Sequence, residues 1–116
     1  MTLVDEVLQC TDGRALVKEH LSRPGGAQIL FFATSATFQS YQMEDVASGE
    51  FEQPPEAVLE YLEFGARALG MTDVASTVRV NFPASIMLFD ETLRGLDGDA
   101  IGRAISNAKA MEFLLI

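Results

Sequence analysis

A chain of 116 residues is the size of one domain, and 48% hydrophobic residues against 22% charged supply a core without a disulfide or metal staple. Seventeen acids against 8 Lys and Arg, a formal charge of −9, oppose binding to nucleic acid or an anionic membrane, and the one cysteine, Cys10, excludes an internal disulfide and a thiolate zinc cluster. No stretch approaches the ~20 apolar residues of a membrane span and the N-terminus lacks a basic flank, so the expectation is a cytoplasmic globular domain over 1–116.

Leu3, Val4, Val7 and Leu8 form one apolar stripe on a short helix over 2–10. Thr11-Asp12-Gly13 interrupts it, and Thr11 or Asp12 can cap a second helix over 14–22, which buries Leu16, Val17 and Leu21 with His20 beside them. Arg23-Pro24-Gly25-Gly26 ends that helix. Ala27 to Ala33 is a continuous apolar run between turn signals and predicts a buried strand. A turn or continuation over 34–37 leads to a second strand through Phe38, Ser40, Tyr41 and Met43, then a loop over 45–53.

Pro54-Pro55 opens the strongest helix, 55–69. Val58, Leu59, Leu62, Ala66 and Leu69 line one face, Glu56, Glu60, Glu63 and Arg67 the other, and Gly70 supplies the stop. Thr77 to Phe82 alternates Val78, Val80 and Phe82 with Arg79 and Asn81, which predicts a half-buried strand. Pro83 permits a helix with Ile86, Phe89, Leu93 and Leu96 at helical spacing, a strand through 86–89 being the alternative. Asp97-Gly98-Asp99 caps a last helix, 99–112, with Ile101, Ala104, Ile105, Ala108 and Met111 inward. The order predicts an α+β fold or small α/β layer: N-terminal helices, about three strands, helix 55–69 packed on the sheet, and C-terminal helices.

Catalysis has little to work with. Cys10 and His20 are the one possible thiolate–imidazole pair, and packing accounts for both more simply. The chain has no Gly-x-Ser-x-Gly elbow, no Gly-x-x-x-x-Gly-Lys-Ser/Thr cradle, no His-x-x-x-His and no Cys-x-x-Cys, so no cofactor and no metal is expected. Asp97 and Asp99 look like a fragment of a calcium loop, but helix capping explains them with fewer assumptions. The remaining enzymatic route is a small enzyme or enzyme subunit with a carboxylate-lined cleft, for which Asp90, Glu91 and His20 would have to converge.

Charge points to partners instead. No Lys or Arg stands between Arg23 and Arg67, and that gap holds Glu44, Asp45, Glu50, Glu52, Glu56, Glu60 and Glu63. The remainder of the chain carries 10 acids against 8 bases, so nearly all the excess sits in one central block. Such a block attracts a basic protein or nucleoprotein complex, with Phe51 and Tyr61 as candidate aromatic anchors; an ordinary solubilising face is the plainer reading. Phe113, Leu114, Leu115 and Ile116 make an apolar end that packs on the core or forms the interface of a homodimer. By composition alone, on no diagnostic residue, the profile resembles bacterial or phage inhibitors such as toxin-immunity and anti-CRISPR proteins, and homodimeric secretion chaperones. The resemblance implies an acidic nucleic-acid mimic, a non-enzymatic protein that inhibits or shields a basic surface.

Overall fold

The computed structural model describes residues 2–41, 53–94 and 98–115, the last with backbone only at 98–100 and 112–115. Every regular element among the described residues is an α-helix. These are α1 (Leu3–Leu8), α2 (Gly13–Ser22), α3 (Gly26–Ser40), α4 (Glu56–Ala68), α5 (Thr72–Thr77), α6 (Phe82–Arg94) and α7 (Gly98–Leu115). The expected α+β architecture is therefore overturned, and with it the sheet on which helix 55–69 was to pack.

The first two helices start where capping chemistry puts them. Thr2 accepts from the Asp5 amide at 3.1 Å while Asp5 accepts from the Thr2 amide, a reciprocal box that satisfies two otherwise orphaned donors. Asp12 accepts from the Ala15 amide at 3.0 Å and opens α2. Gly25, with φ of 70°, turns the chain in the left-handed region between α2 and α3.

The run Ala27–Ala33, expected as a strand, is the first half of α3. An unbroken apolar run does not distinguish a buried strand from a buried helix. Here no Gly or Pro intervenes before Ser40, and 15 residues continue as one helix, well beyond the ~5–6 of an ordinary strand. The helix touches α1, α2, α4, α6 and α7. Enclosed on so many sides, it buries Ala27, Leu30, Phe31, Ala33, Thr34, Thr37 and Phe38, and no single polar stripe marks its period. The second expected strand fails for the same reason: Phe38 and Ser40 belong to α3 and Tyr41 to the turn after it, while Met43 lies outside the described residues.

The third expected strand, Thr77–Phe82, is the junction of α5 and α6. Val78 and Phe82 are both buried and stand four apart, so the spacing of one helical turn coincides with every second step of an alternating pattern. Val80 between them is 85% exposed. Asn81 donates its amide to the Thr77 carbonyl at 2.8 Å, and its side-chain oxygen accepts from the Ala84 amide at 3.2 Å, which caps α6. Pro83 sits in the first turn, where its missing N–H costs no helical bond.

Helix α4 lies against α2, α3 and α5. Its contact with α2 is unusually close. A Cβ on Gly13 would stand 2.1 Å from the Ala57 carbonyl oxygen and 2.3 Å from the Tyr61 amide nitrogen, so only glycine lets the first turn of α2 abut α4. At the other side of the core the Phe38 ring stacks on Phe89 at 4.7 Å and on Phe82 at 6.0 Å, joining α3 to α6.

Candidate functional site

The acidic stripe of α4 is present, but most of its charge is engaged within the chain. Arg79, between α5 and α6, places its guanidinium on both Glu56 and Glu63, with Nε 3.1 Å from Glu63 Oε1. Arg67 stands 3.8 Å from Glu63 one turn along. These two carboxylates hold the Arg79 guanidinium charged, raising its pKa further. The Glu56 side chain is still 71% exposed, whereas that of Glu63 is only 19% exposed. Glu60 has a different duty: its Oε1 accepts from the Arg14 amide at 2.8 Å, across the α2–α4 contact that Gly13 makes possible. A carboxylate there satisfies an orphan amide in the first turn of α2 and meets the positive end of its dipole.

Glu44, Asp45, Glu50, Phe51 and Glu52 lie outside the described residues. Of the apolar end, Phe113, Leu114 and Leu115 continue α7 as backbone, their side chains not described, and Ile116 lies outside. Tyr61 does not stand beside the acids as a surface anchor. It is fully buried, because Val58, Tyr61, Leu62 and Gly65 share the inner face of α4.

Tyr61 belongs to a polar chain that joins α1, α2 and α4 and runs from the core to the surface. Its hydroxyl is 2.7 Å from His20 Nδ1, and His20 Nε2 points toward Glu6 Oε2 at 3.7 Å. Glu6 in turn receives both Arg23 Nη1 at 3.2 Å and Nη2 at 2.7 Å, and Nη2 also meets Glu19 at 2.8 Å. At 3.7 Å the Glu6 carboxylate attracts a proton on Nε2 without a hydrogen bond to it; in that tautomer the Tyr61 hydroxyl donates to Nδ1. Burial holds His20 below its ordinary pKa and pushes the Tyr61 phenol up. Hydrogen bonding from Arg23 keeps the Glu6 carboxyl low. The order carboxylate, imidazole, hydroxyl is that of a catalytic triad, yet Tyr61 and His20 have 0% exposure and no substrate reaches the hydroxyl.

The other candidate chemistry is dispersed. The Cys10 thiol turns to the Ala57 carbonyl oxygen at 3.7 Å, and burial raises its pKa, the reverse of an activated nucleophile. Asp90 pairs with Arg94 at 3.3 Å on α6 and lines a shallow depression with Met87 and Glu91. His20 is not among its lining residues, so Asp90, Glu91 and His20 do not form one cleft. Among the described residues no group of three His, Cys, Asp or Glu side chains is placed to hold a metal ion, and no helix is long and apolar enough to cross a membrane.

Sequence reasoning missed Arg79 and the Tyr61–His20 bond. Arg79 lay within a segment expected to be a strand, with no indication that it would reach a helix 16 residues earlier. Tyr61, a candidate aromatic anchor beside Glu60 with packing into the domain as the alternative, takes the packed position, since its spacing of three and four from Val58 and Gly65 puts it on the inner face. No protein-family model, no curated protein and no solved structure matches the chain.

Proposed function

We propose that the protein is a non-enzymatic acidic binding domain that caps a basic, Arg- and Lys-rich surface of a partner protein or nucleoprotein complex and so inhibits or shields it. The observation that supports this most directly is the seating of Arg79 between Glu56 and Glu63: this face of α4 already accommodates a guanidinium, the group that a basic partner presents. The rest of the acidic block, Glu44, Asp45, Glu50 and Glu52, adds four negative charges with no base among them. A one-signed field of this kind steers association, raises its rate and makes it salt-dependent.

The test is a pull-down from native cytosol with the full chain at low and high salt, read by mass spectrometry. A variant carrying Glu44→Gln, Asp45→Asn, Glu50→Gln, Glu52→Gln and Glu56→Gln runs beside it. Glu60 and Glu63 are left intact because Glu60 caps α2 and Glu63 is the more buried of the two carboxylates that hold Arg79, whereas Glu56 is 71% exposed. A basic partner held at low salt, released at high salt and lost with the variant supports the reading. Equal retention by both proteins overturns it.

A further inference from the structure

Three of the eight basic residues of this acidic chain gather around one apolar groove. Arg14, Val17, Lys18 and Leu21 contribute from α2 at helical spacing, Phe64, Arg67 and Ala68 from α4, and Met111 from α7. Val17, Leu21 and Ala68 are buried and form the floor; Phe64 and Met111 are half-buried walls. The guanidinium carbons of Arg14 and Arg67 stand 5.1 and 5.3 Å from the centre of the Phe64 ring, which holds both cations at the groove. Among the described residues neither Lys18 nor the Arg14 guanidinium has an ion-pair partner, and Arg67 has the 3.8 Å approach to Glu63 alone. By contrast Arg23, just after α2, Arg79, between α5 and α6, and Arg94, on α6, are each paired with a carboxylate.

We infer that this groove binds an acidic, amphipathic segment of a partner protein, one apolar side chain entering the groove and carboxylates meeting Arg14, Lys18 and Arg67. Size and charge select this occupant. The cavity is about 200 Å³, smaller than the ~300–1,000 Å³ of small-molecule pockets but adequate for one Leu or Phe side chain acting as an anchor. Three cations on an apolar floor complement a few carboxylates flanking that anchor. A nucleic acid strand carries a phosphate at every nucleotide and meets the repulsion of a chain with net charge −9 along its whole length, whereas a short segment can confine its carboxylates to the three cations of the groove. The groove is opposite in sign to the acidic block and is independent of the function proposed for it.

The experiment titrates the isotope-labelled full chain with a synthetic twelve-residue peptide carrying one central Phe between Glu residues. Amide shifts concentrated at Arg14, Val17, Lys18, Leu21, Phe64 and Arg67 are expected. By fluorescence anisotropy, replacing the peptide's Phe with Ser weakens binding about tenfold. Lys18→Glu in the protein weakens it to a similar extent, about tenfold, and Lys18→Gln by less. Lys18 is exposed, and the amide spectrum of each variant checks that the fold is kept. Shifts elsewhere on the surface, no binding at millimolar peptide, or equal binding by Lys18→Glu each overturn the inference. So do shifts reproduced by acetate alone, which would make the groove a bare carboxylate site, or stronger competition by a single-stranded oligonucleotide than by peptide.

Discussion

His20 and Tyr61 meet edge to face in the interior, with ring centres 5.5 Å apart and Nδ1 2.7 Å from the phenol oxygen, and so tie α2 to α4 by a hydrogen bond inaccessible to water. Removing one partner strands the other. Tyr61→Phe leaves His20 Nδ1 buried without a partner and is expected to cost about 1–3 kcal/mol. The measurement is the urea midpoint at constant m-value. A loss below a few tenths of a kcal/mol would show that the bond is not made in solution.

The same imidazole makes stability depend on pH. Burial holds the folded pKa of His20 below the ordinary 6.5, so the unfolded chain binds more protons than the folded one in the interval beneath that value. The sign follows: this contribution is present above pH 6.5 and is lost as pH falls through the interval. The lowered pKa of Glu6 acts in the same direction at more acid pH, where its carboxylate would protonate and release Arg23. Urea unfolding between pH 5 and 7.5 should show a slope of up to about 1.4 kcal/mol per pH unit from the histidine, reduced in His20→Gln. Equal slopes for the two proteins would contradict a buried, neutral His20.

Gly13 leaves no room for a methyl group. In Gly13→Ala the new Cβ meets backbone at Ala57 and Tyr61, which cannot swing aside as a side chain can, so α2 must withdraw from α4. The expected loss is about 3 kcal/mol or more, at the upper end for a single substitution. Gly25→Ala is the control: its φ of 70° is unfavourable for alanine, but nothing lies within 4 Å of the added atom. Its cost should stay near ~1–2 kcal/mol. A reversed ranking in thermal melts would refute the close α2–α4 contact.

Arg79→Gln separates surface charge from stability. Its ion pairs are partly exposed, and such pairs typically contribute under ~1 kcal/mol, so the melting temperature should move little. Freed of the guanidinium, Glu56 and Glu63 should strengthen attraction for a basic partner and steepen the salt dependence of its association rate. Stopped-flow association with a captured partner at two ionic strengths reads this. An unchanged rate would place the contact elsewhere on the molecule.

How much of this was legible depends on how local each signal is. Helix α4 was readable nearly to its ends because Pro55, a clean apolar stripe and Gly70 all act within a few residues of it. The helical reading of 83–94 and of the C-terminal segment held for the same reason, as did the break at Arg23–Gly26. Segments 27–33 and 77–82 were misread where burial had removed or disguised the period: α3 is enclosed by its neighbours, and Val78 and Phe82 satisfy two periods at once.

Charge, the single cysteine and the scarcity of catalytic motifs are properties of the chain, and the sequence determined them without reference to folding. It also determined which short stretches begin and end helices, since caps, prolines and glycines act on the backbone beside them. Tertiary structure alone decided that α3 is the enclosed helix, that Tyr61 bonds His20 41 positions away, and that Arg79 returns to the acids of α4. It also gathered Arg14, Lys18 and Arg67 around one groove. The reason is geometric: an ion pair or buried hydrogen bond depends on which helix faces meet, and that is settled by the packing of the whole core.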